Sequence, residues 1–211
     1  MKKENYETFF NRLRPVLSED DLFEVDLAYA LSKHAHRYQR RTEKDSSGMP
    51  LRYFEHPRRV AISLIDEAKC FDPTVIIAAL FHDGLEDTRF LTYAKLKYHF
   101  GRDVARIVQM LTKDVNDEEY IARLIQSAGW RALLIKAADR LDNLRSLPEG
   151  NIEFQRKQIL ETRQKYYPVF DMLLKLTPLD YKRGAQDLFD KIGCIVVKYE
   201  TSFERIDKRN F

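Results

Sequence analysis

Along most of this chain, apolar residues recur at intervals of three and four, the spacing that places them on one face of an α-helix. One such run follows the segment Ser18 to Asp21, which has the hydroxyl and carboxylate of a helix-capping box, and continues towards Gln39. Asp72 and Pro73 supply the cap and first turn of another helix, which continues to the pair His82-Asp83. The repeated pattern predicts an all-α protein.

Glycine, proline and polar turns mark the predicted ends of the other helices. Pro57 is the predicted start of one helix, and Gly101 is a predicted stop between two others. A helix that begins at Trp130 is predicted to end at Pro148. The polar segment 42–50, which contains glycine and several serine and charged residues, is a predicted loop.

The last third of the chain also has helical spacing. A helix over about 154–176 is predicted to bend or break at Pro168, and a final helix extends to about Phe203. The run 194–197 is rich in β-branched residues and could form a strand by composition alone, but its flanks keep the helical period. Polar residues at 113–119 predict a second loop.

The 211 residues suit one domain with a single core. We expect this domain over 1–211, with a motif-bearing core at about 18–167 and a C-terminal helical extension at about 168–211. Hydrophobic residues make up 44% and charged residues 33%, a balance typical of soluble globular proteins and not of disordered ones. No apolar segment approaches the roughly 20 residues that cross a bilayer, and the N-terminus leads into no apolar signal region, so a cytoplasmic protein is predicted. Cys70 and Cys194 lie among apolar neighbours and are predicted to be buried, reduced thiols.

The charge of the chain is unevenly distributed. The net formal charge is only +3, so the chain as a whole lacks the basic character of a duplex-binding protein, and nucleic acid is not an expected partner. Between Lys33 and Arg59, however, eight basic residues accompany three acidic ones. This segment favours a phosphate-rich small molecule as its ligand, with RNA as a less favoured ligand and an ordinary solvated charge run as the alternative.

The candidate chemistry centres on the pair His82-Asp83. There an apolar run at 76–81 turns abruptly into one imidazole and three carboxylates, those of Asp83, Glu86 and Asp87. Burying such groups without partners would cost several kcal/mol, and a bound metal would remove that cost. On one continuous helix, His82 would share a face with Glu86, and Asp83 with Asp87.

Two further side chains suit the same ion. His56 lies just before a predicted helix start, and Asp139 follows an apolar run. With His82 and Asp83 they form a mixed nitrogen and oxygen donor set, which suits manganese, iron or zinc. An octahedral ion with four protein ligands would keep positions for water and a phosphate oxygen, and it would lower the pKa of that water.

Each residue has a catalytic and a plainer explanation. Glu86 and Asp87, one turn beyond the pair, are placed to take a proton from the attacking water or to orient it, but they could also merely end a helix. His56 could cap a helix, and Asp139 could pair with a neighbouring cation. Among the remaining histidines, His36 is the candidate for a phosphate contact.

Four segments of the chain match the motifs of a known family. They are Ala35 to Arg41 against Ala-His-x-Gly-Gln-x-Arg, Ser47 to Pro57 against Ser-Gly-x-Pro-Tyr-x-x-His-Pro, Ala78 to Thr88 against Ala-Ala-Leu-Leu-His-Asp-x-x-Glu-Asp-Thr, and Leu134 to Arg145 against Leu-Ile-Lys-Leu-Ala-Asp-Arg-Leu-His-Asn-Met-Arg. Over about 28–167 the chain therefore resembles the HD-domain phosphohydrolases. Within them it is similar to the hydrolase domain of RelA/SpoT homologues and to the small alarmone hydrolases.

The resemblance implies an HD-domain helical bundle with one divalent ion, usually manganese. The ion would be held by His56, His82, Asp83 and Asp139. The implied reaction removes pyrophosphate from the 3′ position of (p)ppGpp. Only about 44 residues follow the similarity, so a stand-alone hydrolase is implied, and a homo-oligomer is a further expectation.

The resemblance also implies roles around the ion. Glu86 and Asp87 would manage the attacking water, Arg41 would lie against the purine base, and Asn143 would contact the nucleotide. The remaining candidate substrate contacts are His36, Arg40 and Lys136. Together these residues imply a purine nucleotide with a pyrophosphate group as the substrate.

Departures from the family pattern lie close to these contacts. Tyr38 replaces a glycine, and Asp142 replaces the usual histidine beside the site. The segment Thr42 to Ser46 is inserted before Ser47, and two extra residues follow Pro50. These changes lie where the base and the distal phosphates should bind.

The leading hypothesis is thus a metal-dependent hydrolase of (p)ppGpp-like nucleotides. The altered loop motivates an alternative in which the same metal core acts on an adenine alarmone, a nucleoside monophosphate or NADPH. A third alternative is a non-catalytic nucleotide-binding module. The presence of all four ligands and of both acids, Glu86 and Asp87, argues against that alternative.

Overall fold

The computed structural model describes residues 4–45 and 47–208. Its helices are α1 (Tyr6–Phe10), α2 (Glu19–Ala35), α3 (Glu55–Asp66), α4 (Pro73–Phe81), α5 (Gly84–Asp87), α6 (Tyr93–Leu111), α7 (Asp117–Ser127), α8 (Trp130–Arg145), α9 (Ile152–Glu161), α10 (Tyr167–Leu176) and α11 (Leu179–Asp207). Strands β1 (Arg40–Lys44) and β2 (Pro50–Arg52) form an antiparallel hairpin. The predicted all-α fold is confirmed, with this small hairpin added. Residues 1–3 of the N-terminus and Ser46 of the predicted insertion lie outside the described residues.

Helix α4 lies at the centre of the bundle. From Val75 to Phe81, each of its residues is at most 1% exposed. It packs against α2, α3, α6 and α8. A helix that is apolar on every side is stable only where neighbours cover all of it. The pair His82-Asp83, which follows the last residue of α4, therefore emerges in the middle of the fold.

The predicted caps at Ser18 and Asp72 and the predicted stop at Gly101 are confirmed. The side chain of Ser18 accepts a hydrogen bond from the backbone N–H of Asp21, although α2 ends at Ala35 and not near Gln39. The side chain of Asp72 accepts from the N–H of Thr74 at the start of α4. Gly101 has a φ of +83° and interrupts α6, because only glycine adopts this conformation without strain.

The segment predicted as a loop over 42–50 is mostly a hairpin. The Asp45 carboxylate accepts hydrogen bonds from the N–H groups of Ser47 and Met49, at 2.9 and 3.0 Å, and Gly48 has a φ of +80°. These contacts form a turn between β1 and β2. The strands have mostly exposed residues on both faces, so they lack the apolar alternation that reveals a strand.

Other boundaries differ from the predicted ones. The loop predicted over 113–119 ends earlier, because the Asn116 side chain caps α7 by accepting from the N–H of Glu119. Pro57 is the third residue of α3, a position in the first turn where a missing N–H costs nothing. The predicted break near Pro168 is a π-helical turn, Thr162–Tyr166, directly before α10.

The prediction of two buried thiols is half right. Both cysteines are free, and Cys70 is buried, but Cys194 is exposed because it faces outwards on α11. The run 194–197 is helical, as its flanks predicted. No helix in the described part of the chain is both long and apolar enough to span a bilayer.

Helix α11 packs tightly against the backbone just after α3 at Gly184. A Cβ atom on Gly184 would lie 1.9 Å from the carbonyl oxygen of Ala68, just after α3. Gly184→Ala is therefore expected to push α11 outwards and to lower the free energy of unfolding by about 2 to 3 kcal/mol, as overpacking does. Gly193→Ala, also in α11, is the matched control, because the atom nearest to its added Cβ would be the Tyr167 hydroxyl oxygen at 3.8 Å. Urea unfolding of both variants measures the difference, and equal stabilities would contradict this account.

Glu67 joins three helices. It follows α3, and its carboxylate binds Arg145 of α8, at 2.7 and 2.8 Å, and Lys191 of α11, at 2.7 Å. Burial alone would raise the pKa of Glu67, but these two cations outweigh it and lower the pKa to about 2. The carboxylate therefore stabilises the folded state above its ordinary pKa of 4.5.

We expect Glu67→Gln to lower the free energy of unfolding at pH 7 by about 1 to 2 kcal/mol, since both cations are partly exposed and screened. Because the folded-state pKa is lowered, this stabilisation is lost as the pH falls from 4.5 towards about 2. Thermal unfolding of the wild type and the variant across this range measures the effect. A difference that stays constant down to the lower pH would contradict it, and Glu24→Gln on α2 is the exposed control.

Candidate metal centre

Four predicted ligands from three segments converge at the end of α4. His56 is the second residue of α3, Asp139 lies within α8, and His82 and Asp83 lie between α4 and α5. The donor atoms of His56, His82 and Asp139 all lie within 4.8 Å of one another. Asp83 Oδ2 lies 3.5 Å from His56 Nε2 and 3.1 Å from His82 Nε2.

The prediction that one continuous helix carries His82, Asp83, Glu86 and Asp87 is wrong. Helix α4 ends at Phe81, and α5 begins at Gly84. The carbonyl oxygen of Ala79 accepts a hydrogen bond from the ring Nδ1 of His82 at 2.8 Å, in addition to one from its backbone N–H. This contact accompanies the end of α4 and turns the imidazole towards the centre of the site.

Hydrogen bonds define which ring nitrogens face the centre. His56 Nδ1 lies 2.7 Å from a carboxylate oxygen of Asp142, and His82 Nδ1 lies 2.8 Å from the Ala79 carbonyl. Both partners are acceptors, so each Nδ1 carries a proton. When such a ring is neutral, its Nε2 carries no proton and presents a lone pair. The two Nε2 atoms lie 3.2 Å apart.

This arrangement fits a cation. Two imidazole lone pairs and two carboxylate oxygens at such distances repel one another unless positive charge lies among them. Adjacent donor atoms bound about 2.1 Å from one octahedral ion lie about 3.0 Å apart. The two Nε2 atoms lie 3.2 and 3.8 Å from Asp139 Oδ1, close to that spacing.

The electrostatics of the site also favour positive charge. Burial opposes protonation of both rings, but the surrounding carboxylates raise the pKa of His56 and raise that of His82 well above its ordinary value. Burial likewise opposes ionisation of Asp139, yet Lys136 and both imidazoles hold its pKa well below the usual range. The side chains thus hold net negative charge that either protons or a metal ion would balance.

Lys136 and Asn143 contact a candidate ligand directly. Lys136 Nζ lies 2.9 Å from Asp139 Oδ2, and Asn143 Nδ2 donates to Asp139 Oδ1 at 2.7 Å. The ammonium also lies 5.5 and 5.6 Å from the ring centroids of Tyr120 and Tyr166. Both residues were predicted as substrate contacts, and the structure shows them orienting the Asp139 carboxylate.

The predicted contacts on α2 and the hairpin surround Tyr53. The His36 ring stacks on Tyr53 with centroids 4.8 Å apart, and the Arg41 guanidinium lies 5.9 Å from the Tyr53 centroid. Burial lowers the pKa of His36, and its Nε2 has no hydrogen-bond partner among the described residues. Arg40 is exposed, and it donates to the backbone carbonyls of Arg37 and Gln39.

The two predicted acids lie at the exposed edge. Glu86 Oε2 accepts a hydrogen bond from the backbone N–H of Lys113 at 2.9 Å. Asp87 interacts through its carboxylate with the Tyr53 hydroxyl. Both side chains are exposed, in contrast to the buried donor atoms of His56 and His82.

Sequence reasoning assigned no role to two residues that touch the ligands. The Tyr53 hydroxyl donates to Asp83 Oδ2 at 2.7 Å, and the Asp142 carboxylate accepts from His56. Asp142 follows Asp139 by three residues, so helical spacing alone places both on neighbouring faces of α8. That spacing was the available signal.

The basic segment is only partly free to bind a ligand. Arg58 is buried against Glu55 and Tyr29, and Arg59 binds two carboxylates. A cavity of about 350 Å³ lies beside His36 and includes Lys33, Arg37 and Arg52 in its lining. The exposed basic residues therefore lie at the end of α2 and on the hairpin.

Comparisons with known proteins agree with this arrangement. The chain matches the family described as "HD domain" over residues 28–170. It is 39% identical over 137 residues to the human guanosine-3′,5′-bis(diphosphate) 3′-pyrophosphohydrolase MESH1, covering 60% of this chain and 73% of that protein. A solved structure of a metazoan ortholog of SpoT, described as hydrolysing ppGpp, superimposes with a TM-score of 0.65 at 29% identity, covering 83% of this chain and 94% of that one.

Longer relatives share the same region. The chain is 36% identical over 196 residues to the guanosine-3′,5′-bis(diphosphate) 3′-pyrophosphohydrolase of Aquifex aeolicus, covering 89% of this chain. It is 31% identical over 177 residues to the bifunctional (p)ppGpp synthase/hydrolase SpoT of Escherichia coli, covering 78% of this chain. The chain spans about a quarter of the length of these two proteins, 25% and 24%.

Proposed function

Since the chain belongs to the HD domain family, we propose that it is a metal-dependent hydrolase that removes the 3′-pyrophosphate of (p)ppGpp-like nucleotides. The observation that carries this proposal is the pair of inward-facing Nε2 atoms, 3.2 Å apart, between two carboxylates. A relative of similar size, human MESH1, has this activity in its name.

The family and the donor set together indicate a divalent metal, and we propose manganese. Its ligands would be His56, His82, Asp83 and Asp139. Mixed imidazole and carboxylate donors suit manganese, iron and zinc alike, so identification of the metal is part of the test. When bound, the ion would polarise a phosphate oxygen and lower the pKa of a coordinated water.

The surrounding side chains would prepare these ligands. Tyr53 donates to Asp83 Oδ2, and Lys136 binds the outer oxygen of Asp139. Each contact orients a carboxylate and keeps it ionised. Glu86 and Asp87 are the proposed proton acceptors for the attacking water, because carboxylates at the exposed edge of the site can exchange protons with solvent.

The proposed reaction adds one water molecule across the bond between the 3′ oxygen and phosphorus. The water oxygen bonds to phosphorus, the bond from phosphorus to the 3′ oxygen breaks, and a proton reaches that oxygen. The products are pyrophosphate and a nucleotide with a free 3′-hydroxyl. Glu86 would accept the proton that the water loses.

We propose that the nucleotide contacts come from the hairpin, α2 and α8. Arg41 would lie against the purine base. His36, whose Nε2 has no partner among the described residues, would accept a hydrogen bond from a hydroxyl group or, when protonated, donate one to a phosphate. Asn143 and Lys136, which contact the Asp139 carboxylate, would contact the nucleotide from α8. Arg40, which is exposed on β1, would meet a distal phosphate.

Arg41→Ala is expected to raise the KM for ppGpp about 10-fold with a small effect on kcat, because stacking and charge are lost from the bound nucleotide. Arg41→Lys keeps the charge and should fall between the wild type and the alanine variant. Steady-state kinetics measures both constants. A wild-type KM for Arg41→Ala would rule out the proposed contact.

The substrate test uses the purified protein, stripped of metal and reloaded with Mn²⁺. We expect ppGpp to yield pyrophosphate and not orthophosphate, and we expect little turnover of an adenine alarmone, a nucleoside monophosphate or NADPH. Rapid turnover of one of these compounds, with none of ppGpp, would favour the alternative substrate. Nucleotide binding without turnover of any of them would favour a binding module. Metal analysis of the purified protein identifies the native ion.

Three broader expectations remain proposals. We propose one HD-type hydrolase domain over 1–211, with the C-terminal helices as an extension of its core. A cytoplasmic location and assembly into a homo-oligomer are the others. Fractionation and light scattering would test these two.

A further inference from the structure

Asp142 occupies the position where the family pattern has a histidine, and its carboxylate is 3% exposed. Asp142 Oδ2 lies 2.7 Å from His56 Nδ1. Its remaining contacts come from Arg59, with Nε donating to Oδ1 at 2.7 Å and a terminal nitrogen donating to Oδ2 at 2.9 Å.

Arg59 connects Asp142 to the hairpin. The terminal nitrogen that binds Asp142 also donates to Glu43 of β1, at 2.9 and 3.3 Å. Glu43 is 8% exposed, and it belongs to the segment 42–46 that the family pattern lacks. The Arg59 guanidinium therefore contacts both departures from the family pattern, the inserted segment through Glu43 and the aspartate at position 142.

We propose that Asp142 is a positioning residue that holds His56 with Nε2 towards the metal, and that Arg59 and Glu43 tie the hairpin to this contact. The inference rests on the proposed role of His56 as a metal ligand. A carboxylate that accepts from the remote nitrogen of a metal-binding histidine sets the tautomer and orientation of the ring. The two hydrogen bonds from Arg59 hold that carboxylate in place.

The same contacts reach a second ligand from the hairpin side. Glu43 binds Arg41 at 3.5 Å, and the Arg41 guanidinium lies 5.9 Å from the Tyr53 centroid. The Tyr53 hydroxyl in turn donates to Asp83. The hairpin that carries the proposed base contact is therefore connected to His56 through Arg59 and to Asp83 through Tyr53. A change at Glu43 should affect metal binding although Glu43 contacts none of the four ligands.

Metal affinity provides the first test. We expect Asp142→Ala to weaken Mn²⁺ binding about 10- to 100-fold, the usual effect of removing such a partner. Asp142→Asn should lose less Mn²⁺ affinity than Asp142→Ala, because the asparagine amide oxygen can still accept a hydrogen bond from His56 Nδ1. We expect Glu43→Gln to weaken binding by roughly threefold to 10-fold. Isothermal titration of the metal-free proteins with Mn²⁺ measures each constant.

A matched control separates positioning from general destabilisation. Asp72 caps the opposite end of α4, and its carboxylate lies 2.7 Å from Arg131 Nε. Asp72→Asn therefore breaks a comparable ion pair far from the ligands. The thermal stability of the Asp72→Asn variant should fall, while its Mn²⁺ affinity stays at the wild-type value. With Mn²⁺ at saturation, kcat of Asp142→Asn should return towards that of the wild type, because only ring orientation was disturbed.

A second readout needs no metal and no turnover. Nitrogen NMR of the metal-free protein, recorded at a pH where the titration of His56 is complete, reports which nitrogen of His56 carries the proton. The wild type should show protonated Nδ1, and Asp142→Ala should show a mixture of tautomers. Wild-type Mn²⁺ affinity together with an unchanged tautomer in Asp142→Ala would overturn the inference. Protonated Nδ1 in a wild-type protein that binds no metal would instead overturn the proposed function and leave the contact between Asp142 and His56 intact.

Discussion

Asp139→Ala is expected to abolish both metal retention and turnover. Asp139 Oδ1 lies 3.2 and 3.8 Å from the two inward-facing ring nitrogens. Its removal takes away one of the four proposed donors and one of the two that carry negative charge. Loss of Lewis-acid stabilisation removes several kcal/mol from catalysis, which corresponds to a fall in kcat/KM of about 10³-fold or more. Asp83→Ala should have the same result.

The design must separate ligand loss from unfolding. Asp139→Ala also leaves the buried ammonium of Lys136 without its carboxylate, and an unpaired buried charge destabilises a fold. Asp139→Asn keeps the shape and an acceptor for Lys136 while removing the charge. Asp66→Asn, which breaks an exposed pair with Arg12 at the end of α3, is the control.

Metal content after dialysis, near-ultraviolet circular dichroism and turnover are measured on each variant. We expect Asp139→Asn to be folded, to retain little metal and to be inactive. A folded Asp139→Asn protein with wild-type metal content and wild-type turnover would remove Asp139 from the proposed ligand set. Unchanged metal content in Asp66→Asn would confirm that loss of metal is specific to the site.

Glu86→Gln should keep the metal and slow the reaction by about 10² to 10⁴, the usual contribution of a positioned proton acceptor. Glu86 Oε2 accepts from the backbone N–H of Lys113 at 2.9 Å, and the amide oxygen of glutamine can accept the same hydrogen bond. The substitution therefore preserves the local structure and removes the ability to take a proton. The effect should fall on kcat.

Steady-state kinetics and metal analysis of Glu86→Gln provide the measurement. Glu204→Gln, an exposed change near the end of α11, is the control and should behave as the wild type. Normal turnover in Glu86→Gln would reassign the proton transfer to Asp87 or to solvent. Loss of metal from Glu86→Gln would make Glu86 part of the ligand sphere, contrary to the proposed role.

Much of the fold follows from local signals in the sequence. Ser18 and Asp72 cap the helices that their positions predicted, and Gly101 interrupts α6. These features depend on residues within one or two turns, so their physical cause is visible in the sequence itself. The hairpin was missed because its strands are polar on both faces, and α7 was missed because its first turn is acidic and resembles a loop.

The motifs of the candidate site were also recognisable before the structure. His56, His82, Asp83 and Asp139 were chosen from the sequence, and in the fold their donor atoms lie together. The break between α4 and α5 was not predicted, because it coincides with a contact between the His82 ring and the Ala79 carbonyl rather than with a glycine or proline. Side-chain contacts of this kind leave no mark on helical periodicity.

Local signals along the chain are sufficient to predict the helical class, several helix ends and the residue types that converge on one point. How those residues are held depends on the packing of distant segments. Asp142 meets His56 across 86 residues of sequence, and Arg59 joins Asp142 to Glu43. The reason is physical: capping and periodicity act between neighbours along the chain, whereas these contacts exist only after α3, α8 and the hairpin have packed together.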